Sequence, residues 1–111
     1  MQRILLLLSI TLIGGCAKLS SSSSGSPEAD MAFEKVAHDY IKGFLAWRPQ
    51  AGTALGYHEY DGKVTDFSRA SLDIELSRLK EFEAKLSAIS IETLSPRKAY
   101  DYRILAGAIR R

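Results

Sequence analysis

The chain has 111 residues, with 15 Lys and Arg against 13 Asp and Glu, so its formal net charge at pH 7 is only +2. Charges of both signs are interspersed, whereas a nucleic-acid binder clusters its basic residues along one face, so we expect no nucleic-acid partner. The only cysteine, Cys16, excludes an intramolecular disulfide, so packing alone has to stabilise the fold.

Residues 1–15 have the three parts of an export signal. Arg3 supplies the basic start, residues 4–13 form an apolar run, and Gly14 and Gly15 are the small residues before the cysteine. The apolar run is about half as long as the roughly 20 residues that cross a bilayer. We therefore predict a signal peptide that is removed, and not a membrane-spanning helix.

Residues 12–16 read Leu-Ile-Gly-Gly-Cys and resemble the bacterial lipobox, which has an aliphatic residue three positions before the cysteine and small residues between. The resemblance implies cleavage between Gly15 and Cys16, acylation of Cys16 with fatty acids such as palmitate, and retention in the cell envelope by membrane lipid. Because Ala17 is not acidic, we expect an outer-membrane anchor facing the periplasm if the source is Gram-negative. An ordinary secretory signal with an incidental cysteine is the alternative.

Residues 16–25 contain the lipidated cysteine and a serine-rich run with too little apolar surface to fold, which predicts a flexible tether. The folded part, residues 26–111, starts with Ser26 as a helix N-cap and Pro27 in the first helical position. A helix follows to about Trp47, because a proline two residues later forces the chain out of the helical region. Its predicted core face repeats at steps of three and four and consists of Phe33, Val36, Ala37, Tyr40, Ile41 and Phe44.

A short helical turn at residues 50–55, closed by Gly56, leads into a loop at residues 56–67 that lacks helical periodicity. This loop brings aromatic rings, an imidazole and a carboxylate close together, as binding loops on rigid scaffolds often do. In the alternative, its tyrosines cover the core while its histidine and aspartate hydrogen-bond the local backbone. The residues of this candidate cleft or binding loop are Tyr57, His58, Tyr60 and Asp61.

His58 and Glu59 begin a pattern in which two histidines one helical turn apart, with a glutamate between them, bind zinc. Gly62 stands where the second histidine would fall, so the pattern fails. The only other histidine, His38, lies on the polar face of the first helix without a partner set. We therefore predict no catalytic residue, no metal ligand and no cofactor in this chain.

The next predicted helix starts at Ser68, and Phe67 is placed to pack on Leu72 as a hydrophobic staple. Glu81 and Lys85 are spaced to form an ion pair on the exposed side. An apolar stripe of fewer than three heptads indicates a core face more than a coiled-coil seam. The stripe consists of Leu72, Leu76, Leu79, Phe82, Leu86 and Ile89.

Ser95 and Pro96 form another helix start, and an apolar period continues through Ala99, Tyr102, Leu105, Ala106 and Ile109. No capping glycine or proline follows, so we expect a partner surface or further sequence to cover the apolar area left open by Tyr102, Leu105 and Ile109. The predicted fold class is all-α, with three main helices and a short helical turn, as an incomplete N-terminal part of a larger helical protein.

Two segments resemble the N-terminal region of a bacterial family: residues 47–62, Trp-Arg-Pro-Gln-Ala-Gly-Thr-Ala-Leu-Gly-Tyr-His-Glu-Tyr-Asp-Gly, and residues 94–102. The family is the one catalogued as domain of unknown function 885, and the similarity spans residues 33–109. Many members are lipoproteins, are mostly helical and resemble zinc metallopeptidases whose His-Glu-x-x-His motif lies well downstream of this region. The resemblance implies a noncatalytic N-terminal part, with zinc bound only in a full-length relative.

We therefore expect an exported, membrane-anchored lipoprotein formed by the helical N-terminal region of a zinc-metallopeptidase-like protein. Its partner would be the missing C-terminal part. The alternative is a small helical lipoprotein that binds another protein as an interaction module. Both hypotheses place acylated Cys16 in membrane lipid.

Overall fold

The computed structural model describes residues 25–111. The predicted signal peptide, its cleavage site at Gly15 and Cys16, and the serine run of the tether lie outside the described residues. The part of the chain that is described contains four α-helices, three of them long, and no strand, which confirms the predicted all-α class. The helices are α1 (Pro27–Trp47), α2 (Pro49–Ala54), α3 (Arg69–Ser87) and α4 (Pro96–Ile109), and short 3₁₀ turns lie at His58–Tyr60 and Ile91–Thr93.

The helix ends follow the predicted capping residues closely. The Ser26 hydroxyl accepts a hydrogen bond from the Ala29 N–H at 3.4 Å, and the Ser68 hydroxyl accepts one from the Ser71 N–H at 3.3 Å. Both side chains thereby satisfy a backbone donor that has no partner within its helix. The short helix α2 starts one residue earlier than predicted and is followed, as predicted, by Gly56, whose φ of +86° is one that glycine adopts easily.

The first turns of α1 and α4 are joined by hydrogen bonds. The Ser95 N–H donates to the Asp30 carboxylate at 2.9 Å, and the Ser26 N–H donates to the Thr93 carbonyl at 2.8 Å. One turn further along both helices, Lys98 forms an ion pair with Glu34 at 2.5 Å. Because successive residues of α1 meet successive residues of α4, the two helices run in the same direction from this joined end.

Asp30 supplies a carboxylate at the start of α4, where backbone N–H groups lack helical partners. Hydrogen bonding by Ser95, together with the positive charge of Lys98, lowers the pKa of Asp30 below its ordinary value of 3.8. Folding therefore favours the ionised form of this carboxyl group, so its contribution to stability is complete above pH 3.8 and is lost as the pH falls through the folded-state pKa.

We expect Asp30→Asn to lower the melting temperature at neutral pH, because the variant loses the charge at the start of α4. The difference in melting temperature between wild type and variant should shrink as the pH is lowered from about 5 to about 2, where the wild-type carboxylate is protonated as well. Thermal unfolding followed by circular dichroism across this range measures the difference. A gap that stays constant over the whole range would contradict the proposed role of the ionised carboxylate.

The core lies where α1, α3 and α4 meet. Helix α3 runs antiparallel to α1, since the Trp47 indole N–H donates to the Ser71 hydroxyl at 3.2 Å while the Tyr40 ring packs edge-on against Phe82 at 5.6 Å. Aromatic pairs of this geometry stabilise a core beyond their buried area. The central cluster of buried residues consists of Phe33, Tyr40, Phe82, Leu86, Leu94, Leu105 and Ile109.

Three residues predicted for the core are exposed instead. Ile41 is 52% exposed on α1, and Leu72 and Leu76 are 41% and 52% exposed on α3. Helix α4 reaches α3 at the contact between Arg110 and Glu83, and the first two turns of α3 extend past this point. The apolar period of α3 is regular, but α1 covers only the side of its first half that carries Ser71 and Glu75, and no helix covers Leu72 and Leu76.

The side chains of Phe67 and Lys85 both lie against aromatic rings. The Phe67 ring lies edge-on against Trp47 of α1 at 6.0 Å and remains 64% exposed, and its staple onto Leu72 stays a prediction. The Lys85 ammonium lies over the Phe82 ring at 4.9 Å and does not pair with Glu81. Lys85 therefore favours an aromatic face over the ion pair that helical spacing predicts.

An ion pair inside the α1–α3 contact is absent from the predictions. Arg78 donates to both carboxylate oxygens of Glu75 at 2.7 Å, and Glu75 is only 7% exposed. The Arg78 guanidinium also lies over the rings of Tyr40 and Phe82, at 5.2 and 5.3 Å. This bidentate pair is largely desolvated and packs on two aromatic rings, so it belongs to the α1–α3 contact although both residues are charged.

Candidate docking groove and the 57–61 loop

The 57–61 loop is held against α2 by Tyr60. A Cβ atom at Gly52 would overlap the Tyr60 ring, so the ring packs directly on the backbone of α2. The Tyr57 N–H donates to the Gly52 carbonyl at 2.9 Å, and Lys63 lies over the outer face of the Tyr60 ring at 5.5 Å. Glycine at position 52 therefore allows the loop to approach the helix this closely.

The polar side chains of this loop face solvent and pair with each other. His58 Nδ1 lies 3.0 Å from the Asp61 carboxylate, and their side chains are 87% and 50% exposed. Tyr57 is also half exposed, and Tyr60 is the least exposed of the four candidate residues. The alternative prediction, in which the side chains of His58 and Asp61 hydrogen-bond the local backbone, is wrong because these two side chains bond each other. An exposed pair of this kind is screened by water and contributes little to stability.

A larger feature of the described residues is a groove of about 910 Å³ that runs between α1 and α4. It is open to solvent. Its walls are mostly apolar, and none of the four candidate loop residues belongs to them. The apolar residues that line it include Ala37, Ile41, Phe44, Leu55, Ile104 and Ala108.

Three branched aliphatic side chains lie at the surface of this groove. Ile104 is 72% exposed, Leu55 is 69% exposed and Ile41 is 52% exposed. Single exposed aliphatic residues are common, but a contiguous set along a concave surface is typical of a binding site. The groove thus has the apolar content of a helix-binding surface.

The two ends of the groove carry opposite charge. Glu34, Lys98 and Asp101 lie near the joined first turns of α1 and α4, and two carboxylates there outnumber one ammonium group. Arg48 and Arg111 lie at the other end, where α1 and α4 finish. A ligand that fits the groove along its length therefore meets a net negative end and a net positive end.

The sequence prediction placed the open apolar surface of α4 on the wrong face. Leu105 and Ile109 are 8% and 6% exposed, and the Tyr102 ring packs on Phe33 at 6.1 Å, so these residues complete the core. The exposed apolar residues of α4 are Tyr100 and Ile104. Ile104 and Ala108, four residues apart on this second stripe, line the groove, whereas Tyr100 does not.

Two further observations concern residues 25–111. No three His, Cys, Asp or Glu side chains in this range lie close enough together to hold a metal ion. No helix in the same range has the length and apolar character that crossing a bilayer requires. Comparisons of the chain with models of protein families, with curated proteins and with solved structures found no match.

Proposed function

We propose that this chain is an exported lipoprotein whose helical part is a noncatalytic docking module. Acyl chains on Cys16 would hold it on a bacterial membrane, in the outer membrane facing the periplasm if the cell is Gram-negative. The Leu-Ile-Gly-Gly-Cys sequence at residues 12–16 supports the anchor. Each buried methylene of an acyl chain contributes about 0.8 kcal/mol, so two or more chains are a stable attachment.

The open groove between α1 and α4 is the observation that carries the docking role. Ile41, Leu55 and Ile104 expose apolar area there that a partner would remove from water. Full burial of one such side chain is worth roughly 1.5–3 kcal/mol. Covering all three is therefore a substantial driving force for association, although ordering the partner opposes it.

The resemblance of residues 33–109 to the domain of unknown function 885 family supports a particular partner, the helical catalytic part of a zinc-metallopeptidase-like protein. The zinc would be bound there. The residues described here do not fit a zinc site, because His58 and Glu59 lack a second histidine and no cluster of three ligands occurs within residues 25–111. We therefore assign no catalytic step to this chain, only docking.

One observation favours the alternative, a small helical lipoprotein that acts as an interaction module on its own. Phe33 is 2% exposed in a cluster to which α1, α3 and α4 all contribute, so the core is closed without any further element. The reading frame after codon 111 discriminates between the two hypotheses. A frame that continues to a His-Glu-x-x-His motif supports the peptidase-like protein, and a stop codon followed by an unrelated gene supports the module.

We expect Cys16→Ser to move the protein from the membrane fraction to the soluble fraction of the cell envelope, because the serine cannot carry the thioether-linked lipid. Ser21→Ala in the tether is a matched control that should stay with the membrane. Cell fractionation followed by immunoblotting measures both. Membrane retention of Cys16→Ser would refute the anchor, and zinc-dependent peptide cleavage by the purified chain would refute its noncatalytic role.

A further inference from the structure

We infer that the groove between α1 and α4 binds one amphipathic α-helix of a protein partner, antiparallel to both walls, with acidic residues in its first turn and basic residues in its last. This inference rests on the proposed docking role and names the chemistry of the partner. Three observations carry it: the shape of the groove, the charges at its ends and the absence of a matching helix among residues 25–111.

The shape favours a helix. Asp30 contacts Ser95 and Glu34 pairs with Lys98, so α1 and α4 lie side by side and run in the same direction. Helical layers bury their apolar faces against other helices, and α3 fills only one side of this pair. Along α1, the distance from Glu34 to Arg48 is about 21 Å at 1.5 Å per residue, which is the length of a helix of about 14 residues.

The charges set the direction of the bound helix. Natural helices favour acidic residues near their first turn and basic residues near their last, since these side chains complement the helix dipole. Arg48 and Arg111 would face an acidic first turn, while Asp101, the carboxylate left over once Glu34 pairs with Lys98, would face a basic last turn. In this direction the positive N-terminus of the bound helix also lies beside the C-termini of α1 and α4, which carry partial negative charge.

A second copy of the described part of the chain does not supply such a helix. Helix α1 has Glu28 and Asp30 in its first turn but no basic residue in its last. Helix α3 has Lys85 in its last turn but no acidic residue in its first, and α4 has neither. A lipid with an anionic headgroup meets complementary charge at one end only, because the carboxylates of Glu34 and Asp101 outnumber the Lys98 ammonium group at the other.

The test uses the full chain in lipid nanodiscs and two labelled synthetic peptides of about 14 residues. Both peptides have leucines at helical spacing and the same composition. The forward peptide has three glutamates in its first turn and three lysines in its last, and the reversed peptide exchanges them. Because its charges complement the groove, the forward peptide should bind about fivefold to tenfold more tightly, as fluorescence anisotropy at low salt measures.

Two pairs of matched variants locate the binding site. Ile104→Asp should weaken forward-peptide binding by more than about tenfold, whereas Ile74→Asp, on α3, should not change it. The two isoleucines are 72% and 70% exposed, so neither change disturbs the core. Arg48→Glu should abolish the preference for the forward peptide or invert it, whereas Arg103→Glu, which changes an arginine of α4 that does not line the groove, should preserve it.

Several outcomes would overturn the inference. These are equal binding of the two peptides, equal effects of Ile104→Asp and Ile74→Asp, and self-association or lipid binding that Ile104→Asp abolishes in the absence of peptide. Self-association of this kind would assign the groove to a second copy of the chain, and lipid binding of this kind would assign it to a lipid. The anchor depends on Cys16 and the groove on residues 33–111, so the two proposals fail separately. Membrane retention of Cys16→Ser would contradict the anchor, whereas loss of peptide selectivity would contradict the helix-binding groove.

Discussion

Replacing Phe33 by alanine should bring the free energy of unfolding close to zero, so that about half of the molecules lack a folded core at room temperature. Phe33 is 2% exposed and contacts both α3 and α4 through the central cluster, including the Tyr102 ring at 6.1 Å. A buried phenylalanine that becomes alanine costs about 3–5 kcal/mol. A single core of this size supplies only about 3–5 kcal/mol in total, so the loss is as large as the expected stability.

Phe67 provides the matched control for this substitution. It is 64% exposed and makes one edge-on contact with Trp47, so Phe67→Ala should cost only about 0.5–1.5 kcal/mol. Urea unfolding followed by circular dichroism gives both free energies of unfolding. If the two variants shifted the unfolding midpoint equally, Phe33 would not be the centre of the core.

Removing one partner of the buried ion pair should have the second largest effect. In Arg78→Met, the Glu75 carboxylate would keep its buried position but lose both hydrogen bonds from the guanidinium. Breaking a fully buried pair costs about 3–5 kcal/mol. Since the Arg78 side chain is 19% exposed, we expect about 2–3 kcal/mol after allowing for water around it.

The double variant Glu75→Leu/Arg78→Met tests whether the charge itself stabilises the fold. Replacing both partners by apolar side chains leaves no buried charge unpaired, so most of the lost stability should return. Arg69→Met is the control, because Arg69 pairs with Asp73 on the same helix with both side chains well exposed, and it should cost less than about 1 kcal/mol. A double variant as unstable as Arg78→Met would show that the contacts of the guanidinium with Tyr40 and Phe82 matter more than the unpaired carboxylate.

Local chemistry made the helices predictable from the sequence. Ser26 and Ser68 act as N-caps, prolines occupy first-turn positions, and glycine follows α2, so each boundary depends on neighbouring residues alone. The predicted core residues are buried only where the predicted apolar face meets another helix. Leu86 and Leu72 belong to the same stripe on α3, but only Leu86 lies beside α4, and no periodic pattern contains that information.

The groove and the buried ion pair were not predictable for the same reason. Glu75 and Arg78 are spaced like any exposed pair on a helix, and only the approach of the Tyr40 and Phe82 rings desolvates them. Ile104 lies on a second apolar stripe of α4, which the stronger stripe through Leu105 and Ile109 obscured. Choosing between the stripes required knowing which side α1 and α3 occupy.

The joined first turns of α1 and α4 also decide which end of the groove lies nearest to the point where the chain enters the fold. Gly25 packs so closely on the Ser95 backbone that a Cβ atom there would overlap it, so the tether enters the fold at this joined end. Helix α1 carries the chain about 30 Å from that point to Arg48. In a lipid-anchored molecule, the acidic end of the groove would thus lie near the tether, and the basic end would lie one helix length away from it. The proposed partner helix would place its N-terminus at this distant, basic end.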